Sequence, residues 1–414
     1  MSRQIERNRL VDDQNLMSKN LKITGMGIIS ALGANVCETL AALQAQKSGI
    51  GVMRHLQTMH DYFPVGEVRY SEDELREILN IPQKQISTRT PLLGMIALRE
   101  AITQACLQDR KNMRIAFISG TTVGGMEKSE QYYLDFLEND TKNAYIAAHD
   151  CGACTEMIAD HFGGFSMVST ISTACSSAAN AVILGAELIN QGRVDIAIAG
   201  GAECLSKYHL NGFNTLMILD KQVCRPFDKS RAGLNLGEGA AYIVLESEEL
   251  ANRRGVKRLC RLSGYANTCD AYHQTASSPD GTGAYLSMKK ALEYANLRTS
   301  DIGYINAHGT GTDNNDLTEG IAIMRLFGDN IPPMSSTKMY TGHATSAAGG
   351  VESVISILAL LNDFTPANLN FKNKIEEHSF EPVHGSNMRR ELQHVLNNSF
   401  GFGGNDTSLI FSKV

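Results

Sequence analysis

The sequence predicts a layered α/β fold with largely parallel central strands. Three observations carry that expectation. Apolar runs of strand length alternate with longer stretches of helical periodicity in both halves of the chain. The run Asp195-Ile196-Ala197-Ile198-Ala199 is apolar almost throughout, as a strand covered on both faces should be. The β-α-β order recurs along the chain, the arrangement that lays helices against a parallel sheet.

Residues 1–16 are polar and aperiodic, with Met17 just ahead of the first apolar run. Residues 1–19 are therefore expected to form a mobile extension without a catalytic role. Residues 21–29 read as a strand and 37–46 as a helix. Residues 114–119 form a strand that ends in the turn 120–125, 167–172 form another, and 177–191 a helix of small and apolar residues. Strands at 195–199, 241–246 and 259–265 complete a first half spanning 20–265. A stretch rich in Ser, Thr and Asp, 266–279, opens a second half spanning 266–414. That half holds helices at 284–295, 317–327 and 351–361, and strands at 302–306, 395–399 and 408–411.

Composition narrows the function. With 43% apolar residues among 414, the chain can bury a large core, and 37 glycines against nine prolines suit many tight turns. A net charge of −6 speaks against bulk nucleic-acid binding, which needs clustered cations. Apolar stretches fall short of the roughly 18 residues that cross a bilayer, and the best of them, 354–361, reads as a buried helix, so no membrane association is expected. The N-terminus shows no signal-peptide pattern. Nine irregularly spaced cysteines suggest free thiols in a reducing compartment, hence a cytoplasmic protein. Cys151-Gly152-Ala153-Cys154 spells C-x-x-C but lacks both a second ligand pair and a redox setting, so no metal site is expected.

Four segments rich in glycine and hydroxyl residues hold the chemistry-bearing side chains. Cys175, in Thr173-Ala174-Cys175-Ser176-Ser177, falls between a strand and a helix. The positive end of the helix dipole favours a thiolate there, and the turn exposes backbone N–H groups that can stabilise an oxyanion. Taken alone, Cys175 equally fits a small buried residue. His308 closes a strand in Asn306-Ala307-His308-Gly309-Thr310-Gly311-Thr312, the end of an α/β strand where ligands bind. His343 follows Gly342, five residues after Lys338. Asn398-Ser399-Phe400-Gly401-Phe402-Gly403-Gly404 completes the set, its glycines allowing backbone to approach a ligand closely or to act as a hinge.

In this order the motifs resemble those of the elongating β-ketoacyl-acyl carrier protein synthases, close to the type II enzyme of fatty acid synthesis. Arg225-Pro226-Phe227-Asp228 and Gly237-Glu238-Gly239-Ala240 fit the same pattern. The resemblance implies a thiolase-like fold, two similar halves in a five-layered α/β/α/β/α arrangement. It implies a homodimer, or a heterodimer with a chain-length factor. The implied reaction is a decarboxylative Claisen condensation in fatty acid biosynthesis. Cys175 would take the acyl group from the phosphopantetheine of an acyl carrier protein, while His308 and His343 hold the malonyl thioester and stabilise its enolate. By the same resemblance, the N–H groups of Cys175 and Phe400 form the oxyanion hole, and Lys338 with Glu319 makes a charged support for the histidines. Thr310 and Thr312 would bind the pantetheine arm. Phe400 would gate an acyl pocket lined by Val123 and Phe213, with Tyr145 and Ile146 arriving from the partner subunit. No bound cofactor or metal is implied.

The chain also departs from the family pattern. Asp406 stands where asparagine is usual, Ser346 replaces a glycine, Asp313 a proline, and Met217 falls near a position often arginine. Ahead of the helix at Leu92, only Lys84 and Arg89 remain of a basic cluster. Carrier proteins are acidic, so this thin basic patch points to a specialised carrier. The rival readings are the ketosynthase subunit of a polyene or aromatic polyketide pathway, with identical chemistry, and a non-catalytic chain-length subunit. Retention of Cys175 and both histidines argues against the second. The paired Gly-His motifs and Lys338 argue against a cysteine hydrolase.

Overall fold

The computed structural model describes residues 20–414, so the expected N-terminal extension lies outside the described residues. Five strands belong to the first half: β1 Leu21–Ser30, β2 Ile115–Gly120, β3 Met167–Ile171, β4 Ile196–Glu203 and β5 Gly239–Ser247. Five more, β6 Cys260–Cys269, β7 Tyr304–Ala307, β8 Met334–Ser336, β11 His394–Gly401 and β12 Asn405–Ser412, belong to the second, with β9 Phe364–Thr365 and β10 Met388–Arg389 forming a separate ribbon. The large sheet runs β3-β2-β4-β5-β1-β6-β12-β11-β7-β8. It divides where β1 meets β6 through only two residue pairs, Lys22–Arg261 and Ile23–Cys260.

Eight helices matter to the site: α1 Arg89–Gln104, α2 Met126–Glu138, α3 Cys151–Phe162, α4 Ser177–Asn190, α5 Lys207–Thr215, α6 Thr282–Ala295, α7 Asp313–Phe327 and α8 Ala348–Asn362. α4 and α8 are sandwiched between the two half-sheets, α1 covers the outer face of the first, and α6 with α7 covers the second. The five layers expected of a thiolase-like fold are therefore present. α4 can occupy the middle layer because Ala178, Ala179, Ala181 and Ala186 are small and fully buried. At Gly185 even a methyl group would stand 2.9 Å from the Ala197 side chain. α8, with the preceding turn Thr345–Ala347, is long and apolar enough to cross a membrane, yet it is buried inside the protein along almost its whole length.

The structure corrects three details of the sequence reading. Strand direction is mixed: β3, β2 and β4 run parallel, as do β11, β7 and β8, but β5, β1, β6 and β12 join by antiparallel ladders. An apolar run signals burial on both faces and carries no information about direction, which is why the expectation of a largely parallel centre overreached. The boundary expected between residues 265 and 266 falls inside β6, which already belongs to the second half-sheet. Several strands also run further than their apolar cores, β4 to Glu203 and β12 back to Asn405, because ladder pairing continues through polar residues.

β12 carries a buried carboxyl that no cation meets among the described residues. Asp406 is 3% exposed, and burial, followed by the like charges of Asp270 and Glu319, pushes it up to about 8. A folded-state value above the unfolded one means that the protonated form is favoured by folding. Its contribution is complete below about pH 4 and is lost as pH rises through about 8. Asp406→Asn is therefore expected to stabilise the protein more at pH 9 than at pH 5, by on the order of a few kcal/mol. Thermal unfolding of both proteins at the two pH values checks this, and an equal difference at both would contradict it.

Candidate active site

The turn between β3 and α4 is strained in a way that aims its cysteine. Ala174 adopts a left-handed backbone, φ +50°, which non-glycine residues rarely hold. Side chains pin the turn. Ser177 Oγ accepts from the Thr173 N–H at 2.9 Å and donates to the Ala174 carbonyl at 2.6 Å, and Ser176 Oγ donates to the Thr173 carbonyl at 2.7 Å. Cys175 is thereby held buried ahead of the first turn of α4. Burial pushes its thiol up to about 12, against the pull of Lys338 and of the backbone N–H groups of Phe402 and Cys175 itself. A resting thiolate favoured by the helix dipole is thus overturned, since an exposed helix end supplies only about 1 kcal/mol while full burial opposes the charge far more strongly. The thiol instead lies 3.0 Å from His343 Nε2, within reach for proton transfer as the sulfur attacks.

The two histidines come from separate loops of the second half. His308 follows β7, and His343 follows Gly342, whose φ is +70° and where an added methyl group would stand 2.6 Å from the Leu236 carbonyl oxygen, so a side chain is excluded. The rings meet edge to face with centroids 5.4 Å apart. Burial, then the Lys338 ammonium, hold both well below the usual histidine range, so both are neutral at pH 7.

Lys338 anchors this pair, though not with the partner expected. Its ammonium is buried and ion-paired to Glu352, donates to the His308 carbonyl at 2.6 Å, and lies 3.2 Å from His308 Nδ1. Glu319 accepts instead from the N–H groups of His308 at 2.9 Å and Gly309 at 2.8 Å and from Asn398 Nδ2 at 3.1 Å, so it shapes the loop rather than neutralising Lys338. Burial pushes both carboxyls up, and Lys338 draws Glu352 back down. Glu352 was missed in the sequence. Its only signal was an acidic residue beside the apolar run of α8.

The backbone N–H at the sulfur also comes two positions later than expected, from Phe402 and not from Phe400. Phe400 lies inside β11, pairs with Asp406, and packs its buried ring 5.7 Å from His308. Phe402 is the first residue beyond the strand, and its N–H is the one that reaches the Cys175 sulfur. Its half-buried ring stacks on Phe213 at 5.9 Å. Asn405 holds this loop to the nucleophile turn. Its Oδ1 accepts from Ser176 Oγ at 2.9 Å, Asn180 Nδ2 at 2.7 Å and Asn267 Nδ2 at 2.6 Å. A side chain at Gly401 would stand 2.8 Å from the Thr173 carbonyl, so the approach itself requires glycine.

An open cavity leads from the surface to Cys175, with Phe213, Phe400, Phe402, Thr310 and Thr312 in its walls. The two threonine hydroxyls are hydrogen-bonded to each other at 2.8 Å. Val123 does not line this cavity; it is buried in the loop that the Glu203 carboxylate organises, where Ser346 supplies one of the donors. Tyr145 and Ile146 also lie outside it, on the surface beside α2, with Ile146 51% exposed. Of the C-x-x-C pair, Cys151 is half-buried at the start of α3 and Cys154 is buried against Thr88; all nine cysteines are free thiols.

The chain matches the family models described as the N-terminal domain of β-ketoacyl synthase, over residues 18–251, and its C-terminal domain, over residues 259–372. It is 31% identical to the 3-oxoacyl-[acyl-carrier-protein] synthase 2 of Synechocystis sp., across 96% of this chain and 99% of that protein. The protein of the same name from Coxiella burnetii is 31% identical with the same coverage. Among solved structures, the ishigamide ketosynthase/chain length factor superposes with a TM-score of 0.88 at 30% identity, covering 96% of this chain and 100% of that one. A ketosynthase in complex with its chain length factor from Xenorhabdus doucetiae gives 0.81 at 31% identity, covering 96% and 98%.

The pairing of Lys338 with Glu352 is open to a direct check. Lys338→Met leaves a buried carboxylate without its cation and is expected to cost about 3–5 kcal/mol. In a double-mutant cycle, Glu352→Gln should recover part of that loss, whereas Glu319→Gln should not. Denaturant melts of the wild-type protein, the three single variants and the two double variants measure the coupling, and equal coupling to both carboxyls would contradict the assignment.

Proposed function

From the premise that the chain belongs to the β-ketoacyl synthase family, we propose that it condenses an acyl thioester with a malonyl thioester, both borne on an acyl carrier protein. The observation that carries this reading is the contact between His343 Nε2 and the Cys175 thiol, with His308 at its side and Lys338 anchoring it. Cys175 attacks the acyl thioester carbonyl as its proton passes to His343, and the carrier's pantetheine leaves as a thiol. The acyl group is then held on sulfur. Malonyl thioester loses CO2, and the resulting enolate carbon attacks the acyl carbonyl and expels the Cys175 thiolate. Two neutral imidazoles suit the enolate oxygen, because donors already in place stabilise charge only as it develops. The N–H groups of Cys175 and Phe402 serve the oxyanion in the two acyl-transfer steps. Thr310 and Thr312 are placed to bind the pantetheine arm, and Phe402 on Phe213 to gate the acyl pocket. The nine free thiols fit a reducing, cytoplasmic setting.

Carrier proteins and chain-length factors accompany the ketosynthases of similar structure, and the edge of this sheet supports pairing with a second subunit. β3 is an edge strand left partly exposed, and α2, in the same half, presents Tyr133, Leu134 and Leu137 to solvent. An uncovered edge and exposed apolar side chains are each a template for a partner. We assign the edge to a second copy of the chain, which would bring Tyr145 and Ile146 toward the neighbouring site. A chain-length factor is the alternative that the similar ketosynthase complexes favour. Fatty acid elongation is the first reading of the pathway, and polyketide assembly the second.

A panel of acyl-carrier thioesters with malonyl carrier, read by intact mass, tests the reaction. The expected products are a two-carbon-extended β-ketoacyl carrier and transient acylation of Cys175. Cys175→Gln should lose acylation while keeping malonyl decarboxylation, and His308→Ala should slow decarboxylation by about a hundredfold or more. Absence of acylation from every carrier would refute the reading.

A further inference from the structure

The rim of the cavity bears a surface that the chemistry at Cys175 does not use. Its free groups are apolar. α5 is followed by Leu216 and Met217, both lining the cavity, and they are 43% and 87% exposed. Met217 holds a left-handed backbone, φ +58°, a conformation unfavourable for a residue with a side chain. That turn keeps the methionine out of the apolar cluster of Leu210, Phe213, Ile218 and Leu219 immediately beside it. Strain that leaves a large apolar side chain in water is uncompensated in this subunit alone. Tyr208, exposed on the same helix, lies eight residues before Leu216 with Gly212 between them, so one helical face continues the apolar strip away from the cavity.

The charges of the rim are already engaged. Between the lining residues Ile218 and Ala232 the chain carries four cations. Arg225 donates to Asp220 and Gln222 at 2.8 Å each. Lys229 pairs with Glu376, and Arg231 donates to the carbonyls of Thr312 and Asp313 at 3.2 and 2.9 Å and pairs with the Asp313 carboxylate at 3.8 Å. Lys221 lies 5.7 Å from the centre of the Tyr62 ring. The cavity is also lined by Thr275, Ser277, Asn314 and Asn315, and by Asp313, whose negative charge is the one that Arg231 meets.

A thioester on a pantetheine arm must pass this rim to reach Cys175, so the protein bearing the arm rests against it. We infer that the rim docks its carrier by apolar contact, Met217 and Leu216 entering an apolar cleft on a carrier whose docking face has little negative charge. This rests on the proposed condensing activity. An acidic carrier would meet cations already committed to Asp220, Asp313 and Glu376, and it would gain little steering from them.

The test measures KM for three acyl donors: a pantetheine thioester with no protein, an acidic type II acyl carrier protein, and that carrier with its docking-helix carboxylates changed to amides. The wild-type protein is expected to take the neutralised carrier at least as well as the acidic one, with KM changing less than about twofold between low and high salt. Met217→Asp should raise the ratio of carrier KM to pantetheine KM about tenfold for the neutralised carrier, and Met217→Arg should shift preference toward the acidic one. Turnover of the pantetheine thioester shows that each variant is folded. A wild-type preference for the acidic carrier with steep salt dependence, or a Met217→Asp ratio equal to wild type, would overturn the inference. Failure of the wild-type protein on all three donors would instead strike the proposed activity.

Discussion

The site depends on one buried ion pair. Removing Lys338 and Glu352 from water costs several kcal/mol per ion, and Coulomb attraction alone often fails to repay it. Here the ammonium also holds the His308 carbonyl and reaches its ring, so the desolvated charge is spread over a carboxylate and two acceptors from the functional loop. The pair thereby fixes the His308 loop to α8, the helix at the centre of the protein. The same positive charge also lowers both histidines and opposes the rise at Cys175. Position and electrostatics come from a single group.

A second constraint joins the halves. The nucleophile belongs to the first half-sheet and the histidines to the second, yet they must meet within hydrogen-bond reach. Asn405 and the glycine at 401 accomplish this locally. The β11–β12 turn is laid on the start of α4, and Asn405 gathers donors from the nucleophile turn, from α4 and from β6. The Phe402 N–H is thus placed beside the sulfur by side chains of both halves, without depending on the short β1–β6 contact between the sheets.

Much of this was legible in the sequence, for reasons that particular residues make plain. Cys175, His308 and His343 sit in short segments whose glycines and hydroxyls report loop geometry directly, and the structure brings all three together. Two errors had a common origin. Phe400 and Phe402 share a strand parity, so only the point at which β11 ends separates a buried core ring from a residue whose N–H meets the sulfur, and strand ends are set by ladder pairing across the sheet. Lys338 could be matched to Glu319 or Glu352 by charge alone, and only the packing of α8 against the His308 loop selects the second. The thiolate expectation failed differently. It weighed a local dipole, which sequence reveals, against burial, which sequence does not.

What remains is a site whose reacting side chains carry no charge at rest. The thiol is protonated, the imidazoles are neutral, and two backbone N–H groups face the sulfur. In water such donors would be satisfied by solvent and would have to reorganise before stabilising an anion. Held in a buried cleft, they are strongest toward a charge that appears during reaction, on an acyl oxygen or an enolate, and they give little to a resting ion. Burial therefore opposes the standing thiolate and favours the transition state by the same physics. The high thiol value then becomes a requirement of the design, with His343 accepting the proton only when a carbonyl is present to receive the electron pair.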